Sequence, residues 1–451
     1  MKKILSIAIA LLMIVGLVAC SGNNNTSTTT PKPEETGKTD DSGKTAEEIT
    51  LWTYPIGNWG DEATVKTLTD AFTAETGIKV KVEYLTYADG DDKVNTALTA
   101  KAGPDLIMEG PERLVANWGA NGYMVNIADM FDAGDKSEIN ASALAACFAD
   151  ANTAYEYPLV MTAHCMAINL NAFKEAGADQ YINTETHTWT TEQFINAVNA
   201  LYAKYGDTVG AVFCSGQGGD QGTRALVNNL YGGTFTTADH TAYTWDNEKN
   251  IQALKKLYDL EGIAYDASIV GGDEIANFYN GIFKMAFCWN IAQQQNPNSA
   301  GTGAGKTANG DEIVFMAFPT ESGEPKLQGG IWGFGIVNNN DEGRINAAKK
   351  FIKFMADSEH TADAVRASNF FAARTAIDGK TLDVWSSDPI MAEYTKLMPY
   401  LGDYYQVTKG WAAARTAWWN MLQKVGASDG SDAAIAAAVA EYCTQANDGA
   451  K

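Results

Sequence analysis

ITLWTYPIGNWGDEATVKTLTDAFTAETGIKVKVEY, from Ile49 to Tyr84, reads as strand, helix, strand. Ile49 to Thr53 is a short apolar run of the kind that forms a buried strand. Asp61 can cap a helix whose apolar face is Val65, Leu68 and Phe72, and Gly77 stops it. Ile78, Val80, Val82 and Tyr84 then alternate with Lys79, Lys81 and Glu83, which is the period of a half-covered strand. Two strands joined through a helix form a parallel pair with a right-handed crossover, so the expected class is α/β.

The same grammar continues downstream. A strand DLIM (Asp105–Met108) follows the turn at Gly103-Pro104, and CMAIN (Cys165–Asn169) leads into a helix ending near Gly177. Ile251, Leu254, Leu257 and Tyr258 share one helical face before Gly262, and Ile345, Ala348, Phe351, Ile352 and Met355 share another, so both helices lie on a core. From Ile390 the chain is nearly all helical, and its last helix is opened by Ser431 or Asp432.

Upstream, Lys2 and Lys3 precede the apolar run Ile4 to Val18, the pattern of a secretory signal rather than a membrane span. The run ends in LVAC, Leu17 to Cys20, which resembles the lipobox of bacterial lipoproteins. That resemblance implies cleavage after residue 19 and a diacylglycerol on Cys20. Residues 20–47 are polar and Pro-containing and read as a flexible tether. No later stretch reaches the roughly 18 apolar residues needed to cross a bilayer, so the lipid is the expected membrane attachment. What remains is too long for one core and suits two lobes. The formal charge of −22 repels phosphate backbones and argues against nucleic acid as a partner. Five cysteines besides Cys20 stand at 147, 165, 214, 288 and 443 without CxxC spacing, and buried free thiols are the preferred reading, with one disulfide left open.

Ala300 to Thr307, AGTGAGKT, mimics a phosphate-binding loop, but QQQNPNS precedes it and the strand-like EIVFMAF follows it. A working loop of that kind joins a buried strand to a helix N-terminus, so a Gly-rich surface loop is expected. The histidines at 164, 187, 240 and 360 have no paired metal-ligand spacing, and neither metal nor cofactor is expected. There is no GxSxG. A pair of glycosidase-like carboxylates cannot be read among 55 acidic residues, and no catalytic residue is assigned.

Thr76–Glu83, Ala102–Leu114 (AGPDLIMEGPERL), Tyr155–Gly177 and Gly329–Asn340 (GGIWGFGIVNNN) resemble the extracellular solute-binding proteins of carbohydrate ABC importers, and their order and spacing is similar to the maltodextrin-binding proteins. The resemblance implies a two-lobed clamp of type II, each lobe a mainly parallel sheet flanked by helices, with ligand between them. It places residues 48–163 and 314–360 in the N-terminal lobe, 164–313 and 361–451 in the other, and a hinge near Tyr157 to Ala163. It also implies a monomer on the extracellular face of the cell membrane that delivers an oligosaccharide to the transmembrane subunits of an ABC permease, without catalysis.

A sugar presents an apolar ring face to aromatic side chains and hydroxyls to charged and amide groups. Trp411, opening WAAARTA, matches the family's stacking tryptophan. Glu112 and Arg113 match an Asp-Arg pair that grips hydroxyls, and the neighbouring position, tryptophan in the family, is Glu109 here, which argues against maltodextrin itself. Tyr54 and Trp59 lie past the first strand, where clefts of parallel sheets form. Trp289 and Trp332, each weighed against simple packing, and Thr162 and Arg415 complete the candidate set. The same clamp for a polyol, a glycerophosphodiester or a peptide remains a second reading, and an exported glycan-active enzyme a third. Cys20→Ser is expected to release the protein from the cell surface or to block its processing, as cell fractionation and intact mass would show.

Overall fold

The expected strand–helix–strand unit forms one end of a six-stranded sheet. β1 (Glu48–Thr53) pairs in parallel with β2 (Lys79–Tyr84) on one side and with β3 (Leu106–Glu109) on the other. The connecting helix spans Glu62–Thr76. The Asp61 carboxylate accepts the Thr64 N–H at 2.8 Å, and Gly77, at φ 76°, ends the helix in the left-handed region that favours glycine. Val65 and Phe72 are fully buried against the sheet.

This computed structural model describes residues 45–213, 220–266 and 268–451. The expected signal sequence, Cys20 and most of the expected tether therefore lie outside the described residues, as does Cys214. The tether is already tied down at Ala46, whose N–H donates to Gly343 O at 2.9 Å.

β4 (Tyr157–Ala163) and β5 (Cys165–Asn169) follow one another directly, yet they belong to different sheets. The second lobe adds β6 (Gly210–Phe213), β7 (Ile263–Asp266), β8 (Met285–Trp289) and β9 (Ile313–Met316). β8 and β9 flank β5 antiparallel, and the parallel pair β6–β7 joins the edge through the Met285 N–H to Val209 O, 3.1 Å. The chain then returns to the first lobe as β10 (Gly329–Ile336) and β11 (Phe371–Ala372), giving the order β11-β4-β10-β3-β1-β2. β10 runs antiparallel to β3 because it enters from the opposite lobe.

Two boundaries differ from the sequence-based expectation. Ile313–Met316 pairs with β5, Phe315 opposite Ala167, so the segment around 314 belongs to the second lobe. Residues 361–372 belong to the first: β11 caps the open edge of β4, and Ala364 O accepts the Trp59 indole N–H at 3.2 Å. The Gly-rich segment forms turns, with Asn298 Nδ2 donating to Lys306 O at 2.7 Å, and a strand rather than a helix follows it.

The chain leaves the first sheet at His164, just beyond the expected hinge, and its second crossing lies alongside: the His164 N–H donates to Gln328 O at 2.7 Å. A third segment packs against both. Tyr394 donates to Ala163 O at 2.9 Å, and the Leu327 N–H donates to Tyr400 O at 2.8 Å. β10 approaches β4 so closely that a Cβ at Gly329 would lie 1.7 Å from Thr162 O, and one at Gly333 would lie 2.1 Å from Tyr157 O.

Behind β4 a buried ion cluster fixes the returning segment. Arg374, 4 % exposed, donates through Nη2 to Asp135 at 3.0 Å and Glu138 at 2.9 Å, and through Nη1 to Asp357 at 2.5 Å. Burial alone would raise the Asp135 carboxyl, but the Tyr157 hydroxyl and the Lys353 ammonium hold it below its ordinary value. Removing the guanidinium leaves Glu138 without its cation and Asp135 and Asp357 with Lys353 alone, and breaking such a buried pair costs about 3–5 kcal/mol. Arg374→Met is expected to lose that much in urea unfolding.

Candidate ligand-binding cleft

The first lobe contributes a cluster at the C-terminal end of its parallel strands, where ligands of α/β sheets bind. Glu109 ends β3 and is 1 % exposed. Its Oε2 accepts the Gly110 N–H at 2.6 Å and its Oε1 accepts Arg113 Nη1 at 2.9 Å. Arg113 also donates through Nε to Asp91 at 2.8 Å, and its guanidinium stands 5.5 Å from the ring centroids of both Tyr54 and Tyr87. Tyr54 is fully buried and its hydroxyl donates to Asp91 at 2.6 Å, so it supports the arginine from beneath. Tyr87, 51 % exposed, is the ring that faces outward.

Three carboxyls, Asp91, Glu109 and Glu112, therefore crowd one guanidinium, and a fourth, Glu156, lies within electrostatic reach of Glu109 and Glu112. Burial, then the Glu112 charge, push Glu109 up to about 8. Glu156 is fully buried, neither of its oxygens has a hydrogen-bond partner among the described residues, and burial followed by repulsion from Glu112 raises it well above the ordinary carboxyl range.

The second lobe contributes aromatic rings. Trp411 opens the helix Trp411–Gly426 and is partly buried. Its ring lies 4.8 Å from the Arg224 guanidinium, 5.6 Å from Tyr405 and 6.0 Å from Phe235. Arg224 is fully buried and donates through Nε to the Tyr405 hydroxyl at 3.3 Å. Arg415 sits one turn further along the Trp411 helix, half-buried.

Two consecutive residues join the clusters. The Tyr404 hydroxyl donates to Glu112 Oε2 at 2.9 Å across the lobes, while the Tyr405 ring stacks on Phe235 at 4.7 Å. Gln406 adds a further crossing bond, Nε2 to Gly329 O at 2.8 Å. Glu109, Glu112, Arg113, Tyr54 and Trp411 are thus gathered around one boundary between the lobes.

Others of the sequence-derived set lie elsewhere. Trp59 is fully buried, edge-on to Phe334 at 5.4 Å, and Trp289 is fully buried between Phe278 and Tyr279, its indole N–H on Gln294 at 2.8 Å. Both are core residues and not cleft platforms. Trp332, half-buried, stacks on Phe370 at 4.9 Å beside the interlobe bond from Asn369 to Gln295, 2.8 Å. Thr162 lies on the crossing strand, 3 % exposed, with its hydroxyl unpartnered. Sequence reasoning missed Asp91, Tyr87, Glu156, Arg224, Tyr404 and Tyr405. The adjacent tyrosines of GDYYQ, in a polar loop with no period to bury them, were the one signal that could have been read. Cys147, Cys165, Cys288 and Cys443 are free and buried. Among the described residues no cluster of His, Cys, Asp or Glu could hold a metal ion, and no helix is long and apolar enough to cross a membrane.

Two lobes joined by adjacent crossings, with a charged and aromatic cluster where they meet, define a type II periplasmic-binding-protein clamp. Residues 57–362 match the model of the bacterial extracellular solute-binding proteins, and the chain belongs to that family. No curated relative matches it in sequence. Among solved structures it is similar to the sugar-binding protein MalE from Xanthomonas citri (TM-score 0.69, 14% identity, covering 89% of this chain and 97% of that one). It is also similar to the cyclic alpha-maltosyl-1,6-maltose binding protein from Arthrobacter globiformis (0.66, 18%, 89% and 97%). A third is an ABC transporter solute-binding protein from Agrobacterium radiobacter in complex with ribitol (0.60, 19%, 90% and 99%).

A carboxyl raised in the folded state keeps a proton that the unfolded chain releases, so stability falls as pH rises above the ordinary carboxyl value near 4.5. Glu156→Gln removes one such proton. The variant is expected to melt higher than the parent at about pH 8, with the gap closing toward about pH 5, in a calorimetric pH series.

Proposed function

We propose that this chain is the carbohydrate-capturing subunit of an ABC importer, held outside the cell by a lipid on Cys20, and that it binds an oligosaccharide where the lobes meet and hands it to the membrane permease. The observation that carries the reading is the bridge through Tyr404 and Tyr405, which sets a hydroxyl-gripping cluster of Glu112 and Arg113 beside an aromatic wall ending in Trp411. A pyranose needs both surfaces at once. The family and the names of the three similar proteins, which refer to sugars and a sugar alcohol, support the same ligand class. Tyr87 supplies the exposed ring on the first lobe, a place the sequence reading gave to Trp59.

Closure about the crossing segments would trap the ligand, and binding to the folded state alone would raise the melting temperature. A thermal-shift panel of oligosaccharides, polyols and peptides tests the class; stabilisation by peptides alone would overturn it. With the stabilising glycan in hand, Trp411→Ala is expected to weaken binding at least about tenfold, or roughly 1.4 kcal/mol, by calorimetry. Lost folding stability with unchanged affinity would instead make Trp411 a packing residue.

A further inference from the structure

His187 lies in the second lobe, in the turn before the helix Thr191–Tyr205, and is 4 % exposed. The turn sets its backbone at φ 57°, in the left-handed region, and its carbonyl oxygen accepts the Ala317 N–H at 2.8 Å just past β9. Its ring stacks on that of Phe315, with centroids 4.0 Å apart. It belongs to neither cluster of the cleft.

Both ring nitrogens face oxygen. Nδ1 stands 2.9 Å from Phe315 O, and Nε2 stands 2.8 Å from Glu393 Oε1. A peptide carbonyl can only accept. Glu393 can only accept as well: burial raises its carboxyl, but the hydrogen bonds from Lys396 and His187 hold it below the ordinary value, so it is ionised at neutral pH. Two acceptors at hydrogen-bond distance call for two ring N–H groups, which is the imidazolium form. His240 shows the contrast. Its Nε2 meets Asp403 Oδ1 at 3.1 Å, but its Nδ1 faces the Thr408 hydroxyl at 3.5 Å, a group that can donate, so one ring proton suffices.

Glu393 stands in the helix Pro389–Tyr394, which leads into the third crossing segment. The next residue, Tyr394, donates to Ala163 O at 2.9 Å and holds its ring 4.7 Å from Phe315. The His187–Glu393 pair therefore ties this segment to the second lobe at the point where it meets the first crossing. The titratable groups around the pair are Lys396, whose ammonium donates to Glu393 Oε1 at 2.5 Å and to Glu185 O at 3.2 Å, and the buried Tyr394 hydroxyl, with Cys165 Sγ 3.1 Å from it.

We propose that His187, Glu393 and the Phe315 carbonyl form a proton-operated clamp, which holds the third crossing segment to the second lobe while the ring carries both protons and frees it when one is lost. A neutral ring can donate to only one of the two oxygens. Phe315 O is fixed in β9, whereas the Glu393 side chain is 40 % exposed and already paired with Lys396, so the carboxylate is the side that swings away. The tie is thus present at lower pH and lost as pH rises, and imidazole ordinarily makes this change between about pH 5 and 8. Rotation of the lobes about the crossing segments becomes easier over the same interval. The clamp rests on no reading of the ligand.

Hydrogen–deuterium exchange of the folded chain at about pH 6 and about pH 8.5, corrected for the intrinsic pH dependence of amide exchange, tests it. Exchange in 389–403 is expected to quicken at least about fivefold over that interval in the parent and less than about twofold in Glu393→Gln, whose amide can donate to a neutral Nε2 and so needs no second ring proton. Glu393→Gln also gives up the pair with Lys396. Lys396→Met, which keeps carboxylate and imidazole together, separates the two effects and is expected to retain the parent's pH dependence. Both positions are partly exposed, so neither substitution disturbs the core. In NMR titrations of the same proteins, the His187 Cε1–H signal should keep its charged position to higher pH in the parent than in Glu393→Gln. Equal quickening in the parent and Glu393→Gln, no quickening in either, or a His187 signal that titrates alike in both would overturn the clamp.

Discussion

The close approach of β10 to β4 is the contact on which the rest of the molecule depends. Both strands lie in the first sheet and both continue into the second lobe, so their spacing sets where the lobes separate and where they face each other. With Gly329 and Gly333 against the carbonyls of Thr162 and Tyr157, backbone meets backbone with no side chain between. His164 and Gln328 are thereby brought within hydrogen-bonding distance just beyond the strand ends, and the segment from Tyr394 to Gly402 is laid over them. The placement of Tyr404 against Glu112 follows a few residues later.

The chemistry of the cleft grows from a second constraint, the shortage of positive charge at the end of β3. Asp91, Glu109 and Glu112 all bear on Arg113, and Glu156 sits behind them without a bond of its own. Burial and mutual repulsion act together on its carboxyls, and Glu109 and Glu156 are held above the ordinary carboxyl range as a result.

The local part of this architecture was legible in the sequence. Asp61, the apolar face of its helix, Gly77 and the alternation to Tyr84 reappear as cap, packing face, stop and edge strand, since each is set by residues within a few positions. Glu109, Glu112 and Arg113 were placed together by resemblance to the family's segment after this strand, and they do stand at one strand end. Lobe membership was harder. A strand such as Ile313–Met316 has the same period whichever sheet receives it, and nothing near Phe371 announces that two residues will cap a distant edge. Trp59 and Trp289 show the corresponding limit at the cleft. A tryptophan just past or at the end of a strand can turn toward solvent or toward the helix layer, and here Ala364 O and Gln294 supply the indole partners that draw both rings inward. The Arg224–Tyr405 and Tyr404–Glu112 bonds join residues 181 and 292 positions apart, a relation that no spacing rule contains.

The three crossing segments have a mechanical meaning. Because they lie side by side and are cross-linked by backbone and tyrosine hydrogen bonds, sliding one lobe along another would break several bonds at once, whereas turning about the line that joins the crossing points strains only a few torsions in each segment. The lobes are therefore geared to one rotational freedom. Any contact that spans the Glu112 side and the Trp411 side is then expressed as a single angle between the lobes.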